Sequence, residues 1–155
     1  MFRAAGVSSY DNVGVTRLRT AAFTELDART AYLLWQLRES VFVVEQQCAY
    51  LDLDGRDLEP ATRHLWLEDV GPVAYLRLLE DDDVVRIGRV LVAPSHRGQG
   101  LAEQLMAAAL ELVGDRPCLL DAQSYLARWY THLGFEQSGA EFLEDGIPHV
   151  PMRRG

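Results

Sequence analysis

With 155 residues, 48% of them hydrophobic and 25% charged, the chain is sized for a single domain, residues 1–155, around one core. A formal net charge of −8 excludes the basic face that nucleic-acid phosphates demand. No apolar stretch reaches membrane-spanning length, and Met1 to Gly6 lack the apolar centre of a secretory signal, so no membrane partner is expected. Two cysteines, Cys48 and Cys118, read as buried free thiols in a reducing cytoplasm.

In chain order, Val13 to Thr20 alternates and reads as a first strand. Thr24-Glu25-Leu26-Asp27 resembles a helix start, with Asp27 favourable at the positive end. Leu33, Leu37, Val41 and Val44 recur at helical spacing, which predicts a helix from Asp27 to Val44. Gln46 to Arg63 reads as loop, broken by Gly55 and Pro60. His64 to Val70 and Val73 to Glu80 flank Gly71-Pro72 as a hairpin, and Asp81-Asp82-Asp83 makes the next turn. Val84 to Val92 is a strand, Gly100 to Val113 a helix and Pro117 to Gln123 a strand. A helix from Ser124 to Leu133 stops at Gly134. Phe135 to Leu143 and His149 to Arg153 close the chain as a hairpin around Glu144-Asp145-Gly146. Antiparallel strands followed by strand, helix, strand, helix, strand predict an α/β fold, a mixed sheet with helices on both faces. The strands near Val90 and Leu120 should be parallel neighbours, because a helix connects them.

The most informative segment is Arg97-Gly98-Gln99-Gly100-Leu101-Ala102, which joins the apolar run Val90-Leu91-Val92 to an amphipathic helix. Glycine permits positive φ and close ligand approach, while the first helical N–H groups lack internal partners and favour an anion. Arg97 adds a forked donor suited to phosphate. Two familiar phosphate motifs fail on named residues. The P-loop needs a lysine, and all 15 cationic side chains here are arginine. The dinucleotide fingerprint needs a small residue where Glu103 stands.

Arg97 with Gly100 and Ala102 resembles the acyl-CoA motif of the GNAT N-acetyltransferase superfamily. Leu126 to Phe135, with Tyr130 four residues before Gly134-Phe135, is similar to that family's late helix. Leu37 to Gln46, Asp52 to Gly55, Ile87 to Val90 and Glu144 to His149 resemble its small ElaA-type branch. The likeness runs from about Leu33 onward. It implies two central strands that splay to admit the acyl-CoA arm, with acetyl-CoA as co-substrate and no metal. It implies N-acetyl transfer to an amine acceptor, either a small molecule or a peptide or protein, by direct attack in a ternary complex. Homodimer formation is left open.

The same resemblance assigns roles. Backbone groups of Val90, Leu91 and Val92 would hold the pantetheine arm, and Arg97, Gly98, Gln99, Gly100, Leu101 and Ala102 the pyrophosphate. Tyr130 would be the general acid toward the leaving thiolate. Gln123 stands where relatives place an Asn that bonds the arm. Where many relatives carry a Glu on the strand ahead of the anion turn, this chain has Arg86 and Arg89. Glu45, His64, Asp121 and His149 remain as candidate bases, with Glu45 and His149 expected at the acceptor end. A non-catalytic acyl-CoA-sensing module is the alternative reading. Asp52-Leu53-Asp54-Gly55-Arg56-Asp57 is similar to a calcium loop, but its glycine comes too early and Arg56 occupies a ligand position. The four histidines lack paired zinc spacing.

Overall fold

A computed structural model describes residues 15–155. The reading of Met1 to Gly6, and the start of the first strand at Val13, lie outside the described residues. The chain forms β1 (Arg17–Ala21), α1 (Ala28–Arg38), β2 (Arg63–Glu68), β3 (Pro72–Asp81), β4 (Val84–Val92) and α2 (Leu101–Val113). Then follow β5 (Cys118–Gln123), α3 (Ala127–His132), β6 (Glu136–Gln137), β7 (Phe142–Glu144) and β8 (Ile147–Arg154). The sheet runs β1-β2-β3-β4-β5-β8-β6, with β7 also on β8. Every pairing is antiparallel except β4 with β5.

The alternation of β2 and β3 divides the core. Leu65, Leu67, Ala74, Leu76 and Leu78 face one way, onto Leu105, Met106 and Ala109 of α2. Trp66 and Tyr75 face the other way, onto Leu34 of α1. Helices therefore cover both faces, as the element order predicts. Truncating a fully buried leucine such as Leu105 to alanine costs about 2–5 kcal/mol.

In β4 the alternation breaks. Val85 and Ile87 point into the α2 core, yet Leu91 points into the α1 core while Val90 and Val92 pack toward α2. The register explains the reversal. Tyr75 opposes Leu91 and Arg77 opposes Gly88, so Leu76 faces both Arg89 and Val90. This is a β-bulge, with one extra residue in β4. Arg89 carries it at φ 55°, a left-handed conformation costing a non-glycine residue about 1–3 kcal/mol. β4 pairs with β5 only at Val85–Cys118 and Arg86–Leu119. The parallel pairing is as predicted, but it lies at the strand starts rather than near Val90 and Leu120. Beyond Arg86 the two strands separate.

Three elements differ from the sequence reading. Asp27 does cap α1, accepting from the Thr30 N–H at 2.6 Å. Of the predicted stripe, Val41 is buried and Leu37 packs beside it, but the buried positions of α1 itself are Leu34 and Arg38. Arg38 turns inward because carboxylates await it there. After it the helix widens to a π-turn over Glu39–Glu45, which leaves Val44 69% exposed. Between Ser124 and Leu126 the chain makes a 3₁₀ turn before α3 begins. The strand expected from Phe135 to Leu143 is split into β6 and β7. Opposite the gap stands Pro151, which has no N–H, and a side chain at Gly139 would meet the Pro151 ring at 2.8 Å.

Beneath α1 the loop before β2 is tied to the sheet by buried ions. Arg38, fully buried, reaches Asp52 at 2.8 Å and Asp57 at 2.7 Å. Arg77, 3% exposed in mid-β3, holds Asp57 at 3.0 Å and Asp54 at 2.5 Å. His64 lies with them, 2.6 Å from the Tyr75 hydroxyl, and burial lowers its pKa. The three carboxylates of the calcium-like segment are thus occupied by arginines.

The bond from Arg77 holds the Asp54 carboxyl well below the usual carboxylate range. A depressed pKa contributes stability that is full above the unfolded value, near pH 4, and is lost as pH falls toward the folded value. Asp54→Asn should therefore lose about 1 kcal/mol at neutral pH, modest because the carboxylate is partly solvated. Urea titrations from pH 7 downward should show the variant falling less steeply and converging with the parent chain in acid.

Candidate active site

The separation of β4 from β5 opens a cleft of about 1190 Å³. Gly88 to Val92 line one wall, and Leu120, Asp121 and Gln123 line the other. Of the residues singled out for the site from the sequence, only Gln99 and His64 do not line it.

One end is the turn that follows β4. Gly98 and Gly100 both have positive φ, 77° and 76°, which a side chain would strain. Gly100 is the N-cap of α2 and no side chain caps this helix start, so its first N–H groups are available to an anion. Leu101, 7% exposed, anchors the start in the core. The Arg97 fork grips Glu45 with bonds of 2.6 and 2.7 Å, and its Nε donates to the Val92 carbonyl at 3.1 Å. Arg97 therefore closes the turn and ties it to the π-turn after α1. Its bond to Glu45 lowers that carboxyl's pKa, which weakens Glu45 as a base while the pair lasts.

In the middle of the cleft stands Tyr130. Its ring is buried and packs edge-to-face on Trp129 at 4.8 Å and Phe135 at 6.1 Å. Trp129 donates to Glu103 at 2.8 Å, which locks α3 to the first turn of α2. Burial pushes the Tyr130 phenol well above its ordinary pKa, so it remains a proton donor across the physiological range. Gln123 ends β5 and its amide donates to Gln46 at 3.4 Å, across to the segment following α1.

At the far end, the Cys48 thiol lies 3.9 Å from the Asp145 carbonyl, joining that segment to the last hairpin. His149, on β8 opposite Gln123, donates from Nδ1 to the Ile147 carbonyl at 2.7 Å and stacks on Phe142. That bond leaves Nε2 as the acceptor of the neutral ring, 3.8 Å from Glu144. The segment after α1 and the last hairpin thus meet, as expected. Within the cleft, though, Glu45 sits with the glycine turn. Asp121 pairs loosely with Arg86 at 3.5 Å. Among the described residues no cluster of three metal-ligating side chains occurs, and no helix is long and apolar enough to cross a membrane. Cys48 and Cys118 are free and buried, and burial raises the Cys118 thiol to about 11.

Sequence reasoning missed the ion pairs of Arg38, Arg77 and Arg89, the last two of which line the cleft. Arg89 places Nε 2.8 Å from Asp52 Oδ1. That N–H is not aimed at the oxygen, so the contact is Coulombic. The hydrogen bond runs from Arg89 Nη2 to the Asp52 carbonyl at 3.2 Å. Two signals were present in the chain: Arg38 four residues after Leu34 on a helix, and Arg77 inside the apolar run Val73 to Leu79.

A sheet whose central parallel strands part over a glycine-flanked helix start defines an acyl-CoA N-acyltransferase architecture. The comparisons agree. Residues 37–154 match the acetyltransferase (GNAT) domain, and the chain belongs to that family. UPF0039 protein Rv2851c of Mycobacterium tuberculosis is 52% identical over 143 residues, covering 88% of this chain and 92% of its own. Protein ElaA of Escherichia coli is 44% identical over 140 residues, covering 84% and 91%. The crystal structure of an acyl-CoA N-acyltransferase from Pseudomonas aeruginosa superposes with a TM-score of 0.88 at 40% identity, covering 91% of this chain and all of that one. Within the family the chain is ElaA-like, and its membership supports an acyl-CoA-dependent acyltransferase.

The Glu45–Arg97 pair is solvent-exposed despite its bidentate geometry, with side chains 38% and 45% accessible. A double-mutant cycle on stability with Glu45→Gln and Arg97→Gln should give a coupling of about 1 kcal/mol or less, shrinking as salt is added. A coupling that is large and independent of salt would contradict the exposed-pair description.

Proposed function

We propose that the chain transfers an acetyl group from acetyl-CoA to an amine by direct attack in a ternary complex. The observation that carries this reading is the edge of β4 beyond Arg86. β5 leaves it unpaired, and it runs along the cleft into the uncapped start of α2. The backbone groups of Val90, Leu91 and Val92 that do not pair with β3 would meet the pantetheine arm as a further strand would, with the Val92 carbonyl already taken by Arg97. N–H groups of Gly98, Gln99, Gly100, Leu101 and Ala102 would hold the pyrophosphate, with Arg97 bracing the turn through Glu45. Acetyl-CoA, when bound, supplies an activated thioester whose carbonyl a backbone N–H of β4 can polarise.

Tyr130 donates to the leaving sulfur. The buried Tyr130 phenol is a weaker acid than a thiol, whose pKa is near 8.5, so its part is a hydrogen bond that tightens in the transition state rather than a full early proton transfer. Gln123, at the end of β5, offers amide groups to the arm. The amine approaches past the last hairpin, where His149 Nε2 is the first candidate acceptor for its proton. Glu45 joins it only when released from Arg97. The chain acts as one cytoplasmic domain, a reading supported by two free buried thiols. The second reading, an acyl-CoA sensor, draws on the polar side chains of β4 in the cleft, Arg86 and Arg89, neither of which can be a base.

Gly100→Asp puts a negative charge at the phosphate position in a residue type that tolerates positive φ, and Gly100→Asn controls for strain. CoA should raise the melting temperature of the parent chain and of Gly100→Asn, and should leave Gly100→Asp unmoved. Equal stabilisation of Gly100→Asp would remove the phosphate site from this turn. For Tyr130→Phe, turnover of acetyl-CoA with a panel of polyamines and peptides should fall about 10²–10⁴-fold with donor Kd unchanged. No turnover by the parent chain with CoA bound would favour the sensor reading.

A further inference from the structure

We propose that Arg89 is a positioning residue: its guanidinium, held through Asp52 by buried Arg38, sets the bulge that presents the β4 edge to the thioester. The inference rests on the acetyl-transfer reading and adds side chains that act through the β4 backbone rather than on the substrates.

Three observations meet at this point. Arg89 is a non-glycine residue at φ 55°, and it is the extra residue of the bulge. Its side chain is drawn off the strand toward the loop before β2. There Nη2 donates to the Asp52 carbonyl at 3.2 Å, Nε lies 2.8 Å from Asp52 Oδ1, and the guanidinium carbon sits 5.6 Å from the Tyr50 ring centre. Asp52 is itself immobilised. Arg38 Nε donates to its carboxylate at 2.8 Å, Arg38 Nη2 to its carbonyl at 2.9 Å, and the Tyr50 hydroxyl to its other oxygen at 3.2 Å. One carbonyl oxygen thus accepts from both arginines, linking α1 to β4.

A strained backbone conformation persists only where its surroundings over-determine it. The ion chain supplies that constraint from the α1 side, while the thioester would lie along the open edge beside it. Without the guanidinium, nothing polar holds Arg89 out of the regular alternation, and the N–H groups from Arg89 to Leu91 lose their fixed direction. The glycine turn and α2 are untouched, so the phosphate grip should survive.

The test uses Arg89→Gly, since glycine adopts the positive φ without cost, and Asp52→Asn, which keeps the shape at the other end of the contact. The probe is acetyl-CoA labelled with carbon-13 at the thioester carbonyl. Its stretching band is followed by isotope-edited infrared difference spectroscopy, and Kd is measured by calorimetry. In the parent chain the bound band should lie below that of free acetyl-CoA. In Arg89→Gly it should return most of the way to the free position, and in Asp52→Asn, which removes the carboxylate charge but keeps the carbonyl bond, part of the way, with Kd within about threefold of the parent. A band equally lowered in parent and variants would overturn the proposal and leave the acetyl-transfer reading standing. A band lowered in Asp52→Asn as fully as in the parent and lost only in Arg89→Gly would overturn the role of the Arg38–Asp52 relay. Acetyl-CoA that does not bind the parent chain, or binds with an unshifted band, would overturn the reading beneath both.

Discussion

One extra residue in β4 controls the geometry of this protein. Opposite Leu76 the strand carries both Arg89 and Val90, and from there on its inside and outside faces exchange. Strand pairing depends on a period of two, so such an insertion cannot be absorbed along the strand. The consequence is visible on both sides. Leu91 joins the α1 core, Val90 and Val92 turn toward α2, and the contact with β5 ends after two residue pairs. The cleft is the space this divergence leaves. One side of it is the edge of β4 that β5 leaves unpaired, which is what an extended amide-rich ligand can bind.

The two faces of the sheet are stabilised differently. Toward α2 the packing is almost wholly apolar, with Leu105, Met106 and Ala109 fully buried. Toward α1 the core is small and is extended by Arg38, Asp52, Asp57, Arg77 and His64, all nearly inaccessible. Burying such ions adds little net stability, because desolvation offsets attraction, but removing one partner leaves the other uncompensated. The network therefore acts by fixing positions. It holds a long loop, the π-turn and the bulge in one arrangement around the cleft, at the cost of an unsatisfied oxygen on Asp57 and an unsatisfied Nε on Arg77.

Much of this was legible in the chain. The succession of elements, the helix between the parallel strands and the glycine-flanked start of α2 follow from period, caps and turn residues, which are local. The phase of α1 was not legible, because treating charge as outward misplaces Arg38, whose partners lie 14 and 19 residues away. The break in the last hairpin depends on Gly139 meeting Pro151 across the sheet, a contact no short-range rule contains. The splay was supplied by resemblance alone. Gly88-Arg89-Val90 carries no bulge signal, since the residue with positive φ is an arginine. At the candidate site, motif singles out Tyr130, Gln123 and the glycine turn, all of which line the cleft. The pairing of Arg97 with Glu45 joins two residues that the sequence reading assigns to opposite ends of the reaction.

The central claim is that the unpaired edge of β4 is where the donor lies. A crystal structure of the protein with acetyl-CoA tests it most directly. The account predicts the pantetheine amides in strand-like hydrogen bonds with Val90 to Val92, about 2.7–3.2 Å long. It places the thioester oxygen on a β4 N–H, the sulfur next to the Tyr130 hydroxyl and the pyrophosphate on Gly98 to Ala102. Acetyl-CoA bound outside the cleft, or in the cleft without contact to the β4 backbone, would contradict it.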